Sequence, residues 1–395
     1  MYRKFTASRI FNGYRFLDGN PVLVTDESGN VLEMIDVSDG GDDIEHFNGI
    51  LSPGFINAHC HLELSHLKNS IAEHTGLVEF VQAVIEKREA STEEKKEAMR
   101  LAVEEMVGNG IVAVGDICNT ADSLSFKKNS PLQWHNFIEI TGFVDAAANK
   151  RFETAAVLKE HFFSSLPDQY STLSPHAPYS VSKTLFELIN ENTAGQLITI
   201  HNQESREENK LYVDKSGGFL SLYQNLGIDI DAFSPTGKTS LQTWLPYFNN
   251  GQTTILVHNT FTKEDDLAFA NEQRPTNNGQ RFFCLCPNAN RFIEDTLPPI
   301  NLLRNHHANI VLGTDSYASN HQLSILEEMR TLINDAHAPI LLEEALKWAT
   351  SNGASALRMD EQLGSFKKGK KPGVVLIDEM DGMNLTAASR SRRLL

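Results

Sequence analysis

The chain has 395 residues, 41% of them hydrophobic and 22% charged, and a formal net charge of −16. This is ordinary globular usage and excludes a disordered chain; no apolar run reaches the ~20 residues of a membrane span, and so acidic a surface repels nucleic acid and anionic lipid. Four cysteines are too few for a disulfide framework, and Met1-Tyr-Arg-Lys-Phe-Thr lacks an apolar leader core, so a cytoplasmic protein without a secretory signal is expected.

In chain order, the first stretch reads as short strands at Ala7–Phe11, Pro21–Thr25 and Val31–Val37. Turn signals at Asp18-Gly-Asn, Ser28-Gly-Asn and Asp39-Gly-Gly separate them. After Pro53-Gly54 the pattern changes. Short apolar runs at Phe55–His59, Ile111–Ile117, Phe137–Thr141, Thr172–Pro175, Leu197–His201, Thr254–His258, Phe282–Leu285 and Asn309–Gly313 read as strands. Helical patterns lie between most of them. Thr92–Gly108 opens with Ser91 and Glu94 at capping-box spacing, and Ser182–Glu191 is a second example. Strand–helix alternation implies parallel strands joined by crossover helices. Eight such units over roughly 250 residues match a TIM-type (β/α)8 barrel. A doubly wound open sheet is disfavoured, because no Gly-x-Gly-x-x-Gly turn follows an early strand. Helical pattern continues through Leu341–Leu357, and Leu363–Asp378 turns back to strand and turn. The expected organisation is an α/β chain. Residues 53–359 form the barrel, residues 1–52 with 360–385 form a small β-sandwich domain from both chain ends, and 386–395 form a loose basic tail.

Polar residues at strand ends carry the chemistry. His59 and His61 are two apart, so on a strand both imidazoles face one point while Cys60 faces the other way. Such a pair suits Zn2+ or Fe2+, although alone it also fits two structural histidines. His201 closes Leu197–His201, His258 closes Thr254–His258, and Asp315 follows Ile310–Thr314. Active sites of (β/α)8 barrels lie at these C-terminal strand ends. Ligand-type residues at the same end of four different strands point to a metal site. Cys284 and Cys286 make no zinc ribbon, because no second cysteine pair exists. No Pro-Cys-x-x-Cys follows a His-x-Glu, which excludes the cysteine-rich zinc site that such a pair of motifs marks.

Six segments together resemble the amidohydrolase superfamily. They are Pro53–Glu63 with its His-Cys-His, Pro175-His-Ala-Pro-Tyr-Ser, His201-Asn-Gln-Glu-Ser, Val257-His-Asn, Cys286-Pro-Asn-Ala-Asn and Gly313-Thr-Asp-Ser-Tyr-Ala-Ser-Asn. They span nearly the whole chain in the family's order. More narrowly, they resemble its aminohydrolase and chlorohydrolase branch, which includes S-adenosylhomocysteine, methylthioadenosine and aminofutalosine deaminases. The resemblance implies that His59, His61, His201 and Asp315 ligate one divalent metal, Zn2+ ahead of Fe2+. It implies that His258 orients or deprotonates the attacking water, with Asp315 sharing that work. Glu204 matches a His-x-x-Glu pattern whose carboxylate carries a proton to the ring nitrogen; Glu207 and Glu208 nearby also allow a solvated helix start. Binuclear relatives carry a lysine at the end of the fourth strand. Here Ser171–Pro178 has none, and His176 takes that neighbourhood, which argues for one metal. The resemblance also implies substrate contacts for His176, Glu79 and Asn288, with Asn290 on the same loop as Asn288. Gly369-Lys-Lys-Pro-Gly departs from the family's usual segment there, which weakens placement within the branch.

The implied activity is hydrolysis of a non-peptide C–N bond, namely deamination of an aminated heterocycle such as an adenine-type nucleoside. An amidase or chlorohydrolase using the same metal site is the enzymatic alternative. A metal-bound binding protein is the non-enzymatic one. The expected partner is a small-molecule substrate, with neither nucleic acid nor membrane, and family habit admits a homo-oligomer.

Overall fold

The computed structural model describes residues 2–166, 170–273, 279–335 and 339–395. Alternating apolar residues near the N-terminus form strands β1 (Tyr2–Ile10), β2 (Pro21–Asp26) and β3 (Val31–Asp36). A fourth strand, β4 (Ile44–Pro53), was not legible in the sequence. Gly49 lets β4 pass its neighbour: its φ is +123°, and a Cβ there would lie 2.1 Å from the Ile377 carbonyl oxygen.

After β4 the chain enters β5 (Phe55–Cys60), β6 (Ile111–Cys118), β7 (Gln133–Ile140) and β8 (Tyr170–Pro175). Then follow β9 (Leu197–Asn202), β10 (Thr253–His258), β11 (Arg281–Leu285) and β12 (Asn309–Leu312). These are the eight expected strands, and helices alternate with them. Every residue of β5, β6, β9 and β10 is buried, as parallel strands covered on both faces require. The strands form two four-stranded parallel sheets, β5-β6-β7-β8 and β12-β11-β10-β9.

The two sheets meet at both edges. Between β8 and β9, the Ser174 hydroxyl accepts from Thr199 N at 3.2 Å and His176 O accepts from His201 N at 2.9 Å. Between β12 and β5, Thr314 N and Asp315 N both donate to His59 O at 3.1 Å. Asn57 reinforces this second seam, its amide donating to Thr314 Oγ1 at 2.7 Å. Both seams involve residues beside the histidines, so the seam bonds also set the spacing of the candidate site.

Ser91 and Glu94 form the predicted capping box of the helix Thr92–Gly108, which packs against the 3-10 helix Leu62–Leu67 just after His61. Ser182 caps the helix Lys183–Asn192. Among the described residues, no helix is long and apolar enough to cross a membrane.

Two expectations for the chain ends are corrected. The terminal β element is one six-stranded sheet, β14-β13-β4-β1-β2-β3, and not a sandwich among the described residues; it adds β13 (Val374–Asp378) and β14 (Arg390–Arg393). One face buries Phe5, Leu23, Leu51 and Leu376. From the other face, Ile50, Val375 and Ile377 join the main core with Met99 and Met106, so the α/β unit covers the face that a second sheet would have covered. Residues 390–393, expected within a loose tail, pair antiparallel with β13. That strand would otherwise present unpaired backbone groups at a sheet edge.

Candidate metal and proton-transfer site

The first histidine pair follows from strand alternation. His59 lies in β5, and His61 lies one residue beyond it, at the N-cap of the 3-10 helix Leu62–Leu67. The tertiary fold brings His201 of β9 onto them. His61 Nε2 stands 3.2 Å from both His59 Nε2 and His201 Nε2. Asp315 Oδ1 lies 3.6 Å from His59 Nε2 and 3.5 Å from His61 Nε2. Its other oxygen accepts from the Ser319 hydroxyl at 2.5 Å, which fixes the carboxylate's orientation.

This cluster fits a cation. Tetrahedral ligands at 2.0–2.1 Å from a metal stand about 3.3 Å from one another, close to the observed nitrogen spacing. One proton on His61 Nε2 cannot bridge to two other imidazole nitrogens at once. His201 donates its Nδ1 proton to the His176 carbonyl oxygen at 2.7 Å, which leaves a bare Nε2 lone pair aimed inward. Burial pushes His61 down to about 3 and His201 well below the usual histidine range. Both are therefore neutral and free to ligate at pH 7. Burial raises Asp315, but the facing His59, His61 and His258 outweigh burial and hold it low, so it is a carboxylate. Among the described residues His59, His61 and His201 form one group able to hold a metal ion.

Two further titratable groups, His258 and Glu204, flank the cluster. His258 ends β10 and donates from Nδ1 to Asn290 Oδ1 at 2.9 Å. Asn290 in turn donates to Thr260 Oγ1 at 2.9 Å, an arrangement that selects its amide orientation. The His258 Nε2 is buried without a hydrogen-bond partner and lies 3.5 Å from Glu204 Oε1. Glu204 is only 4% exposed, which rules out the solvated helix start. Burial, then Asp315 and Glu294, push its carboxyl well above the usual range, which favours its protonated form. The turn carrying it is held by Glu208, whose carboxylate accepts from Gln203 N at 2.9 Å and Glu204 N at 3.3 Å.

The local backbone is unusual here. Gln203 (φ 47°), His258 (φ 73°), Asn259 (φ 58°) and Asp315 (φ 58°) are left-handed non-glycine residues at or beside the cluster. Each such conformation costs on the order of 1–3 kcal/mol and persists only where surrounding contacts enforce it. Here the seam and turn hydrogen bonds enforce it.

The expected substrate residues divide. His176 stands beside the cluster, its ring centroid 4.7 Å from that of His201 and its Nδ1 2.6 Å from Ser180 Oγ. Asn288 is not brought into the cluster: its amide donates to Glu328 Oε1 at 3.0 Å and accepts from Thr331 Oγ1 at 2.5 Å. Glu79 is exposed in the first turn of the helix Leu77–Lys87.

Sequence reasoning missed Glu139. It lies in β7, with His176 and His201 close enough for their ligand atoms to fall within 4.8 Å of one another. Its Oε2 accepts from Asn119 at 2.7 Å, whereas Oε1 is buried without a partner. The available signal was the one used elsewhere, a carboxylate at the end of an apolar strand. Ser319, which holds Asp315, had no such signal because its role depends on a turn.

Eight parallel strands in two sheets, with a histidine–carboxylate cluster at their C-terminal ends, define an α/β protein of the metal-site class, with a site suited to a divalent cation. The Amidohydrolase family profile matches residues 50–390, and the chain belongs to that family. Adenosine deaminase of Helicobacter pylori (strain ATCC 700392 / 26695) is 29% identical over 322 residues, covering 79% of this chain and 75% of the relative. The structure of H. pylori aminofutalosine deaminase in complex with methylthio-coformycin has a TM-score of 0.81 at 22% identity, covering all of both chains. That of an adenosine deaminase from Xanthomonas campestris with bound zinc has a TM-score of 0.74 at 21% identity, covering 95% of this chain and 84% of that one.

Asn290→Ala should free the His258 ring and its tautomer. The expected result is a kcat loss smaller than the ~10²–10⁴-fold that a positioned acid or base contributes. KM should change little, and steady-state kinetics on the zinc-loaded protein will read both.

Proposed function

We propose that this protein is a mononuclear metal-dependent deaminase that removes the exocyclic amine of an adenine-type nucleoside, in the class of aminofutalosine, methylthioadenosine and S-adenosylhomocysteine. The observation that carries the proposal is the buried Glu204 carboxyl 3.5 Å from a partnerless His258 Nε2 beside the three converging histidines. We take His59, His61, His201 and Asp315 as the ligands, with Zn2+ ahead of Fe2+. The metal, when bound, acidifies a water toward neutrality and so supplies the nucleophile.

The chain's own residues supply the rest. His258, neutral and fixed through Nδ1, presents Nε2 to accept the nucleophile's proton, and Asp315 Oδ1 faces the same point. Glu204 gives its proton to the ring nitrogen next to the amine-bearing carbon. That protonation makes the carbon electrophilic without requiring a full negative charge on the ring. His258 passes the proton it accepted to the departing amine, which leaves as ammonia, and the hydroxyl proton left on the carbon returns to Glu204 as the carbonyl forms. His176, whose ring lies beside that of His201, is read as a substrate contact, and Glu79 and Asn288 are kept as outer ones. The two sheets are read as one (β/α)8 barrel over residues 53–359. Residues 1–52 and 360–385 are read as an accessory unit, here joined by residues 390–393. A cytoplasmic setting, a homo-oligomer and the absence of nucleic-acid partners belong to the same reading.

The test is ammonia release by the zinc-loaded protein over adenosine, methylthioadenosine, S-adenosylhomocysteine, aminofutalosine, guanine, cytosine and simple amides. Release from adenine nucleosides alone is the expected outcome. Turnover of an amide with silence on every ring amine would replace the proposal with an amidase.

A further inference from the structure

Asp116 and Lys127 form an ion pair that neither the cluster nor the proton transfers use. Lys127 Nζ lies 2.5 Å from Asp116 Oδ2, and both side chains are 0% exposed. Lys127 Nζ also donates to Cys118 Sγ at 3.1 Å and sits 5.2 Å from the ring centroids of Trp134 and Phe162. Burial works against this charge, but Asp116 and Cys118 override burial and raise the lysine's pKa. A fully buried pair is weak evidence for stability, because desolvation offsets much of the attraction. Its presence calls for another explanation.

The free oxygen of Asp116 supplies one. Asp116 Oδ1 accepts from the backbone N–H of Leu62 at 2.8 Å. Leu62 opens the 3-10 helix whose N-cap is His61, and the His61 side chain makes no cap bond. A histidine whose ring must ligate cannot also cap its own helix. Asp116 meets that need from the neighbouring strand, where it pairs in register with Cys60. Glu63 braces the same arm from the other side, accepting from Asn119 N at 3.1 Å and Thr120 N at 3.1 Å.

We infer that Asp116, held by Lys127, is a positioning residue for the metal: its bond to Leu62 N fixes the backbone of His61 and hence the aim of the His61 Nε2. The order of action is Lys127 on Asp116, Asp116 on Leu62 N, and Leu62 on His61. The inference rests on the reading of His61 as a ligand.

The test compares two double variants of the full chain, both free of buried charge. D116N/K127M keeps a side-chain oxygen for Leu62 N; D116L/K127M does not. Co2+ is titrated into the metal-free proteins and followed by its visible absorption. D116L/K127M should bind Co2+ about 10–100-fold more weakly than wild type, the usual cost of losing an outer support of a metal ligand, with an altered band shape. D116N/K127M should recover most of that loss. Equal Co2+ affinity and band shape in both variants and wild type, with only a lower melting temperature, would overturn the inference and leave a structural pair. If wild type binds no Co2+, the reading of His61 as a ligand fails and the inference falls with it. If D116L/K127M does not fold, L62P against L62A makes the same comparison, since both lose the leucine side chain and only proline lacks the N–H. L62P should then bind Co2+ more weakly than L62A; equality would overturn the inference.

Discussion

Glu204→Gln should lower kcat for nucleoside deamination by about 10²–10⁴-fold, the span expected for a positioned proton donor, with metal content unchanged. Glutamine keeps the volume and one oxygen, so the packed turn at Gln203–Ser205 should survive. The backbone bonds from Gln203 N and Glu204 N to Glu208 do not involve the replaced group. What is lost is the proton that burial keeps on the carboxyl. An amide cannot give up a proton to a ring nitrogen at neutral pH. KM should move far less than kcat, because the transfer matters in the transition state and little in ground-state binding. Metal analysis of the purified variant provides the control. Wild-type kcat in a variant of normal metal content would remove Glu204 from the mechanism. A loss confined to ring amines, with simple amides unaffected, would show that the carboxyl acts on the ring.

Removal of the metal should abolish turnover, and its return should restore it. His61 stands 3.2 Å from both His59 and His201, and Asp315 stands 3.5–3.6 Å from His61 and His59, so the four proposed ligand groups are already gathered without a metal. Burial already favours the neutral form of His61 and His201, and Asp315 is held as a carboxylate, the protonation states that ligation needs. Added Zn2+ should therefore rebind without refolding. A metal at a hundredfold excess over its Kd stabilises the folded state by about 2.7 kcal/mol. Chelation should accordingly lower the melting temperature by several degrees. His201→Ala should behave differently: activity stays absent when Zn2+ is added, because the site has lost one of three nitrogens. The same variant leaves the His176 carbonyl without its Nδ1 donor, so it should also melt earlier than chelated wild type. Activity that persists through chelation, with no metal in the protein, would refute the assignment of the cluster.

Much of the site was legible because it depends on short-range geometry. Alternation along one strand places His59 and His61 on one side, and the strand-end rule locates His201, His258 and Asp315 without knowledge of which strands are neighbours. The helix starts at Ser91 and Ser182 are equally local, since a cap and its partner lie three residues apart. Partnerships across the chain were not legible. Lys127-Lys128 has the local character of a solvated basic pair, yet the fold buries Lys127 completely and leaves Asp116 as its counter-charge. Asn288 and Asn290, read as a loop in the sequence, stand two residues apart on the helix Pro287–Glu294, so their side chains leave it in different directions and only Asn290 turns toward the site. Residues 390–393 look like a tail until β13 offers an open edge.

The sequence by itself determined the alternation of strands and helices, the ends of the strands that carry polar residues, and the residue types available to hold a metal and move protons. Those properties follow from periodicity and side-chain chemistry within a few residues. Tertiary structure decided which histidines share a point, that Glu204 is buried beside His258, which carboxylates brace the His61 arm, and that the terminal strands make a single sheet. These are consequences of burial and of contacts between residues tens to hundreds of positions apart. Desolvation and long-range pairing exist only once the chain has closed on itself.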